Sequence, residues 1–389
     1  MNLKWKPKEI IIHNKVKDDA VTKNIVKHCP EVPTKYVSNS IPKCIVQTSD
    51  ILRKAGKTML DKILAGKQVL FVSPASNDVV DNFLMPDDRM ICPHFDRLKF
   101  ASNGCFYKCD WCYLKLTYRA NHPFITVRAE YDRIIEQLEK KLAQSSESII
   151  FNSGEMADSL ALEHLTGAGK KFIPWFGTTE NGYLFMLTKS DNVDDILDLQ
   201  HNGHTIIAWS MNNEWVSRKF EIGAPPFKRR LNAARRVQEV GYPLRIRLDP
   251  IVPFDGWQEA YAETVKTIFE NVLPERITLG TLRFEDGFHK NRKGIFTSGP
   301  ELPAILEDMQ PMFEPKLFPG KKRPKIGKYS YSEEKRIEIF NSIINEIKKY
   351  SDCLIALCKE SEKVWQTVGL ESSKCSCVCQ LDYADMSSS

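Results

Sequence analysis

The chain contains 389 residues and has a mass of 44.6 kDa, with 42% hydrophobic and 27% charged residues. This length fits two ordinary domains or one large α/β barrel with extensions, and the composition excludes wholesale disorder. The 55 basic and 50 acidic residues leave a net charge of +5, which does not by itself indicate a nucleic-acid partner. No run of about 18 apolar residues is present, and the N-terminal sequence MNLKWKPK is not a secretory signal. We therefore expect a soluble, cytoplasmic protein with no membrane partner.

Residues 1–95 are predicted to form a mixed α/β extension punctuated by prolines. The apolar spacing of Ser49–Leu64 predicts one amphipathic helix in it. Within that stretch, Gly56-Lys57-Thr58 resembles the end of a phosphate-binding loop, but Ile51 stands where the loop requires its first glycine. A phosphate-loop function is excluded for this segment.

Residues 96–285 alternate between strand and helix patterns, which predicts parallel strands with helices outside them. Six such units indicate a partial (β/α)6 TIM-like barrel with its chemistry at the carboxyl ends of the strands. The predicted strands are Arg97–Ser102, Ser148–Ser153, Tyr183–Thr188, Thr205–Ser210, Leu244–Pro250 and Arg276–Leu282. The predicted helices are Val127–Ala143, Ser159–Gly167, Asn192–Leu199, Pro226–Val240 and Gln258–Asn271.

The remainder of the chain is less regular. Residues 286–331 are predicted to be a basic, substrate-facing insertion, with six basic residues and no acid between Lys316 and Lys328. Residues 332–389 are predicted to contain a helix over Ser332–Tyr350, a strand over Cys353–Cys358 and a tail rich in serine and cysteine.

The eleven cysteines are clustered. Without a secretory signal, clustered thiols indicate metal ligands rather than disulfides. One group is Cys105, Cys109 and Cys112; a second is Cys353, Cys358, Cys375, Cys377 and Cys379; Cys29, Cys44 and Cys92 stand apart.

The first group forms a C-x3-C-x2-C motif directly after the first predicted barrel strand. Three thiolates at this spacing suit three irons of a 4Fe–4S cluster and leave the fourth iron open. An open iron can bind S-adenosylmethionine and reduce it to a 5′-deoxyadenosyl radical. The alternative interpretation is a zinc site that lacks one ligand, or three buried thiols.

The motif and its surroundings resemble the radical S-adenosylmethionine superfamily and, within it, the spore photoproduct lyase family. The resemblance extends over about residues 50–360 and implies a radical S-adenosylmethionine barrel with N-terminal and C-terminal extensions. It also implies an external electron donor such as flavodoxin or ferredoxin. The similar stretches are residues 102–114, 187–190 with 193–194, 201–203, 210–212, 227–235 and 327–329.

The resemblance implies cofactor-binding roles for residues at the strand ends. Ser153-Gly154-Glu155 is similar to the superfamily's Gly-Gly-Glu, whose carboxylate binds the methionine amino group. Lys189 matches a lysine that contacts the methionine carboxylate, and Ser210 and Asn212 match a further cofactor position. Tyr113 matches a tyrosine on the radical path, so Tyr113 and Glu155 are the expected catalytic residues. Arg247 and Asp249 share one face of a predicted strand, which indicates an ion pair inside the barrel.

The chain departs from the family pattern at two positions. Trp111 stands where the lyases have another tyrosine, and tryptophan has no O–H hydrogen to donate. The segment Ile150–Asp158 contains no cysteine, and Glu155 stands where the lyases have their hydrogen-donor cysteine. A missing donor is expected if another group captures the product radical.

The second cysteine group contains Cys375-x-Cys377-x-Cys379, whose side chains share one side of an extended chain. With Cys358, or less favourably Cys353, they are predicted to hold a second iron–sulfur cluster, another thiophilic metal or a metalloid. The alternative is a mobile tail with redox-labile thiols.

Cations interleaved with aromatic rings at Lys328, Tyr329 and Tyr331 suit contacts with phosphates and bases, which predicts a nucleic-acid or nucleoside-like substrate. The alternative interpretation is a lysine-rich loop that is exposed to solvent and binds no substrate. Two other functions remain open: formation of a C–S or other C–X bond on a small molecule or peptide, using the tail cysteines, and non-catalytic nucleic-acid binding with zinc.

Overall fold

The computed structural model describes residues 4–84, 87–92, 95–116, 122–285, 294, 296, 308–317, 322, 324 and 327–374. The first half contains β1 (Glu9–His13), α1 (Ala20–His28), β2 (Thr34–Val37), α2 (Pro42–Thr48), α3 (Asp50–Arg53), α4 (Met59–Gly66), β3 (Val69–Ser73), β4 (Val80–Phe83), β5 (Phe95–Leu98), β6 (Ala101–Ser102), β7 (Ile125–Arg128), α5 (Tyr131–Leu142), β8 (Ile149–Asn152), α6 (Glu163–Thr166), α7 (Ala168–Phe176) and β9 (Gly182–Thr188). The second half contains β10 (Thr205–Met211), α8 (Glu214–Phe220), α9 (Phe227–Glu239), β11 (Leu244–Ile251), α10 (Trp257–Phe269), β12 (Arg276–Thr281), β13 (Arg283–Glu285), β14 (Gln310–Pro311), β15 (Lys328–Ser330), α11 (Glu333–Ile347), β16 (Leu354–Leu357) and α12 (Glu362–Thr367).

An eight-stranded sheet in the order β16-β12-β11-β10-β9-β8-β5-β4 forms the barrel. Its neighbours pair in parallel, except that β4 runs antiparallel to β5. The fold class is therefore the predicted α/β partial barrel. In the described residues no strand ladder closes the sheet, but its two edge regions meet through other contacts. The N–H of Ile91 donates to the carbonyl of Glu360 at 2.8 Å, and the ammonium of Lys359 lies 5.6 Å from the ring centre of Phe83 in β4.

A second sheet, in the order β2-β1-β3-β7-β6, lies N-terminal in the chain and is parallel except for β6. The prediction of one strand over Arg97–Ser102 is wrong, because the chain leaves the barrel sheet after β5 and enters the second sheet as β6. The helix predicted over Val127–Ala143 also begins later than expected, because β7 occupies its first residues in that sheet.

Three further helix predictions are corrected by local hydrogen bonding. The helix expected over Ser49–Leu64 is two helices, because Thr58 and Asp61 form a capping box that starts α4 anew. The helix expected over Ser159–Gly167 is reduced to α6. Residues 192–199 form turns rather than a helix. The backbone N–H of Asn192 donates to the hydroxyl of Ser190, not to a backbone carbonyl of a preceding helical turn.

The predicted helices that do form bury one apolar side against the sheet. In α9 the buried Phe227, Leu231, Ala234 and Val237 recur at helical spacing. The strands beneath them are buried on both faces, as expected for a parallel sheet covered by helices. No helix in the described residues is both long and apolar enough to cross a bilayer.

Glu163 is a buried acid that predicts a pH dependence of stability. Its side chain accepts the N–H of Gly169 at 2.8 Å, and burial raises its pKa to about 7. A raised pKa in the folded state means that ionisation destabilises the fold as pH rises from about 4.5 to about 7. We expect this residue to lower the unfolding free energy by up to about 3 kcal/mol over that range.

The measurement is urea unfolding at pH 5 and pH 8 on wild type and Glu163→Gln. The variant should show a smaller fall in unfolding free energy between the two pH values. The same fall in both proteins would contradict the assignment.

Candidate active site at the carboxyl ends of the barrel strands

Backbone contacts fix the start of the cluster loop, residues 103–112. Gly104 forms a bridge with Ala157, which lies in the loop after β8. A Cβ at Gly104 would lie 2.6 Å from the Cβ of Ala101 and 2.9 Å from the Cβ of Ala157, so a larger residue does not fit. The ammonium of Lys67, at the end of α4, donates to the carbonyl of Cys105 at 2.7 Å. The second sheet and the barrel therefore both hold this loop.

The rest of the loop is anchored to the segment after α8. The N–H of Lys108 donates to the carbonyl of Ile222 at 2.7 Å, and the N–H of Asp110 donates to the carbonyl of Phe220 at 2.8 Å. The carboxylate of Asp110 lies 3.0 Å from the ammonium of Lys115, and both side chains are essentially unexposed. Burial lowers the pKa of Lys115, while Asp110 raises it in part.

The three motif cysteines pack together, with Cys109 buried beside Tyr107 and Ala161 and the other two thiols partly buried. All three are free of disulfides. Burial raises the pKa of Cys109 to about 12, and it raises the pKa of the Cys105 thiol as well. Binding of a metal to these thiols must therefore release protons.

Asp158 ties the loop after β8 to the end of β9. Its carboxylate accepts the N–H groups of Leu160, Ala161 and Lys189 at 3.1, 2.9 and 2.7 Å, and the hydroxyl of Thr188 at 2.6 Å. These four donors hold the carboxylate, although burial raises its pKa. Asp158 therefore fixes the positions of Glu155 and Lys189 relative to each other.

Lys189 lies at the centre of a polar network across β9 and β10. Its ammonium donates to the hydroxyl of Ser210 at 2.9 Å and lies 3.6 Å from the carboxylate of Glu221. Glu221 in turn pairs with the fully buried Arg230 at 2.5 Å. Burial lowers the pKa of Lys189, but Glu221 and the Cys109 thiol raise it above its ordinary value. The side chain is therefore a cation beside the cluster loop.

Glu155 and Tyr113 meet in the structure. The hydroxyl of Tyr113 donates to the backbone carbonyl of Glu155, and the residue as a whole remains 45% exposed. The carboxylate of Glu155 lies within the electrostatic range of Arg97 and Lys359. Gly154, the residue before Glu155, packs closely against β9: a Cβ there would lie 2.5 Å from the Cβ of Leu187, so a larger residue does not fit.

Comparison with known proteins identifies the family. Residues 97–353 match the family model of spore photoproduct lyase. The spore photoproduct lyase of Geobacillus sp. strain Y412MC61 is 32% identical over 255 residues, which is 64% of this chain and 72% of that protein. The enzyme of Bacillus subtilis strain 168 is 31% identical over 243 residues, 61% of this chain and 68% of that protein.

This chain belongs to the spore photoproduct lyase family.

Solved structures of the family share its fold. A spore photoproduct lyase variant superposes with a TM-score of 0.75 at 24% identity, covering 91% of this chain and 99% of that one. The lyase complexed with dinucleoside spore photoproduct superposes with a TM-score of 0.74 at 23% identity, covering 91% and 100%. These matches confirm the partial barrel fold. Membership of the family makes the chain a radical S-adenosylmethionine enzyme.

The family uses S-adenosylmethionine and a 4Fe–4S cluster, and the cluster loop fits that donor set. It presents three neighbouring thiols beside the cation Lys189. Within the described ranges, no three His, Cys, Asp or Glu side chains are arranged to hold a single metal ion. The assignment of these thiols to a cluster therefore rests on the motif and on the family.

The structure gives different environments to the other predicted cofactor residues. Lys189, Ser210 and Glu155 lie at neighbouring strand ends. Asn212 is buried, and its amide donates to the carbonyl of Pro250 at 2.7 Å and accepts the hydroxyl of Tyr261 at 2.7 Å. These contacts favour a structural role for Asn212 over direct contact with a cofactor.

The predicted substrate residues are divided between core and surface. Lys328 is buried in β15 and pairs with Glu285, and burial lowers its pKa. The ring of Tyr331 is 2% exposed, so it does not present a face for stacking on a base. Tyr329 is partly exposed, so stacking of its ring on a base stays a prediction.

The second cysteine group is only partly described. Cys375, Cys377 and Cys379 lie outside the described residues, so their metal site stays a prediction. Cys353 and Cys358 flank β16 at opposite ends. The sulfur of Cys358 accepts N–H groups from two guanidinium groups, those of Arg247 and Arg283. Two cations against this sulfur oppose a metal ion there, which argues against Cys358 as the fourth ligand.

Sequence reasoning missed several residues that shape the site. No sequence motif predicts a role for Asp158, Glu221, Lys67 or Lys359. Each acts through a partner distant in sequence. The ion pair predicted between Arg247 and Asp249 is present at 3.0 Å, but its third member, Arg283, was not predicted.

The buried pair of Asp110 and Lys115 predicts a large stability effect. Lys115→Met removes the ammonium that lies 3.0 Å from the buried Asp110 carboxylate, and we expect a loss of about 3–5 kcal/mol in unfolding free energy. The double variant Asp110→Asn/Lys115→Met should recover much of that loss. Urea denaturation of the reconstituted protein measures the unfolding free energy of wild type, the single variant and the double variant.

A matched control is Lys335→Met, which removes an exposed pair with Glu338 at 2.9 Å and should cost less than about 1 kcal/mol. Equal effects of Lys115→Met and Lys335→Met would contradict the buried-pair interpretation.

Proposed function

We propose that this protein abstracts a hydrogen atom from a nucleic-acid or nucleoside-like substrate, in the manner of a spore photoproduct lyase. The bound cofactors would supply the 5′-deoxyadenosyl radical by reductive cleavage of S-adenosylmethionine at a 4Fe–4S cluster. The observation that carries the proposal is the position of the C-x3-C-x2-C loop. It is bridged to the loop after β8 and lies beside the Lys189 cation after β9.

The chain's own residues would bind and orient the cofactor. Cys105, Cys109 and Cys112 would ligate the cluster. The Lys189 ammonium would bind the carboxylate of S-adenosylmethionine, and the Glu155 carboxylate would bind its amino group. Each is a charge-assisted contact of the stronger kind. Glu221 supports Lys189 by keeping it protonated.

A nucleoside substrate is supported by the relatives. A solved family structure contains dinucleoside spore photoproduct. On this chain the partly exposed Tyr329 is the candidate for stacking on a base, and the exposed part of Tyr113 lies beside Glu155 at the same strand ends. An external one-electron donor, such as flavodoxin or ferredoxin, would reduce the cluster.

A second candidate function is formation of a C–S or other C–X bond by a protein or cluster sulfur. It is favoured by one observation, the absence of cysteine from residues 150–158. The masses of the products distinguish the two functions, since bond formation adds a heavy atom to the substrate, whereas repair replaces the abstracted hydrogen and leaves the mass unchanged.

The first test is the reaction of the anaerobically reconstituted protein with dinucleoside spore photoproduct. We expect mass spectrometry to detect 5′-deoxyadenosine and the repaired product, in which the two thymine bases are no longer joined to each other. Cys109→Ala should lose cluster iron and both products, because a cluster ligand is removed. Cys353→Ala is the matched control and should behave as wild type. Cofactor cleavage that survives in Cys109→Ala would refute the assigned cluster loop.

The second test concerns the cofactor carboxylate. Lys189→Met removes a charge-assisted hydrogen bond worth about 1.5–3 kcal/mol, so the Kd for S-adenosylmethionine should rise roughly 10–100-fold. Iron content should stay unchanged. Lys170→Met, which removes an exposed lysine paired with Asp195 at 2.7 Å, is the control. An unchanged Kd in Lys189→Met would show that this lysine does not bind the cofactor.

A further inference from the structure

Lys359 lies just after β16 in a backbone conformation that lysine rarely adopts. Its φ of 56° lies in the left-handed region. The residues on both sides hold this conformation in place: the N–H of Cys358 donates to a backbone carbonyl of β12 at 2.7 Å, and the carbonyl of Glu360 accepts the N–H of Ile91 at 2.8 Å. Strained backbone that its surroundings hold in this way is frequent where a ligand binds.

The side chain of Lys359 spans the two edges of the barrel sheet. β16 is one edge strand of that sheet and β4 is the other. The Lys359 ammonium lies 5.6 Å from the ring centre of Phe83 in β4, a distance at which a ring attracts a cation. The residue is partly buried. Its ammonium therefore lies on the open side of the partial barrel.

The charges around Lys359 keep it protonated and place it close to the proposed cofactor site. Burial lowers the pKa of Lys359, but the Glu155 carboxylate and the Cys358 thiol raise it above its ordinary value. Glu155 is the residue expected to bind the amino group of S-adenosylmethionine. In the part of the chain that the structure describes, the Lys359 ammonium forms no ion pair and no hydrogen bond. It is a cation beside Glu155 with capacity for a ligand.

Two neighbouring cations are already neutralised. Arg97 lies 5.5 Å from the same aromatic ring, but its guanidinium pairs with Asp81 at 2.6 Å. Lys328, which the sequence predicted to contact phosphate, is buried and pairs with Glu285. Of these three cations, Lys359 is the one best placed to bind an anion from outside the chain.

We propose that the Lys359 ammonium binds a phosphodiester group of the substrate. This inference rests on the proposed function, because it requires a nucleic-acid substrate at the strand ends. Each internucleotide link of such a substrate carries one negative charge on its phosphodiester. A lysine ammonium binds phosphate as a compact point charge, and a contact between two charged groups is of the stronger kind.

Glu155 links this phosphodiester site to cofactor binding. Without the cofactor, the Glu155 carboxylate attracts Lys359 and repels an incoming phosphodiester. When that carboxylate binds the amino group of S-adenosylmethionine, its charge is balanced by the cofactor instead. S-adenosylmethionine should therefore tighten binding of a phosphodiester substrate, and the substrate should tighten binding of the cofactor by the same factor.

The test compares two ligands that differ by one phosphodiester. One is dinucleoside spore photoproduct, and the other is the same lesion with its internucleotide phosphodiester present. Both Kd values are measured on the anaerobically reconstituted holoenzyme with S-adenosylmethionine and without reductant, so that no turnover occurs. Wild type should bind the phosphodiester ligand about tenfold more tightly than the dinucleoside.

Lys359→Met keeps a side chain of similar length without its charge. It should lose most of the preference for the phosphodiester ligand, while its Kd for the dinucleoside stays within about twofold of wild type. Lys359→Arg retains the charge and should retain most of the preference. Lys363→Met is the matched control: it removes an exposed cation of α12 that pairs with Glu333, and it should keep the wild-type preference. Iron content and urea unfolding of each variant verify that it is folded and loaded.

Three results would overturn the assignment: equal Kd values for the two ligands in wild type, an undiminished preference in Lys359→Met, or equal weakening of both ligands in Lys359→Met. The last result would mean that Lys359 only joins the two sheet edges. If wild type repairs the dinucleoside but shows no preference for the phosphodiester, the proposed function stands and the role of Lys359 fails. If wild type binds neither ligand, the proposed function itself fails.

Discussion

The site depends on one constraint: the chain leaves the barrel sheet after Leu98 and pairs with the second sheet from Ala101. Because the backbone groups in both sheets must be paired, this crossing fixes the point in space at which the cluster loop, residues 103–112, begins. The cluster loop starts directly after it and is held by Lys67 on one side and by the bridge to Ala157 on the other. Three thiols on a flexible loop would lose conformational entropy on binding a cluster. Here the two sheets restrict that freedom in advance.

Among the described residues, several buried cations at the strand ends and beside the cluster loop pair with carboxylates. Lys189 and Arg230 share Glu221, Arg247 and Arg283 share Asp249, and Lys115 pairs with Asp110. An isolated buried charge is expensive, and pairing makes it tolerable without making it strongly stabilising. These groups are therefore better explained by what they position than by the stability they contribute. Lys189 and Arg230 lie at the proposed cofactor site, and Arg247 and Arg283 both bind the sulfur of Cys358.

The departures from the family pattern concentrate on radical transfer rather than on cofactor binding. Three of the four residues expected to contact S-adenosylmethionine, Glu155, Lys189 and Ser210, lie at neighbouring strand ends, and Tyr113 contacts Glu155. By contrast, Trp111 replaces a tyrosine, and no cysteine follows β8. The two edge regions of the barrel sheet meet through contacts of Ile91 with Glu360 and of Lys359 with Phe83.

The sequence by itself determined the cysteine motif, the alternation of strands and helices and hence the family, because these are local patterns of spacing. It located β8 to β12, α9, α10 and α11 closely, since their apolar periodicity is strong. It could not determine the break within Arg97–Ser102 or the strand β7, because both depend on pairing with distant residues. It also could not bring Arg283 and Cys358 together or bury Tyr331, since contacts between residues 75 apart arise only when parallel strands bring their carboxyl ends to one edge.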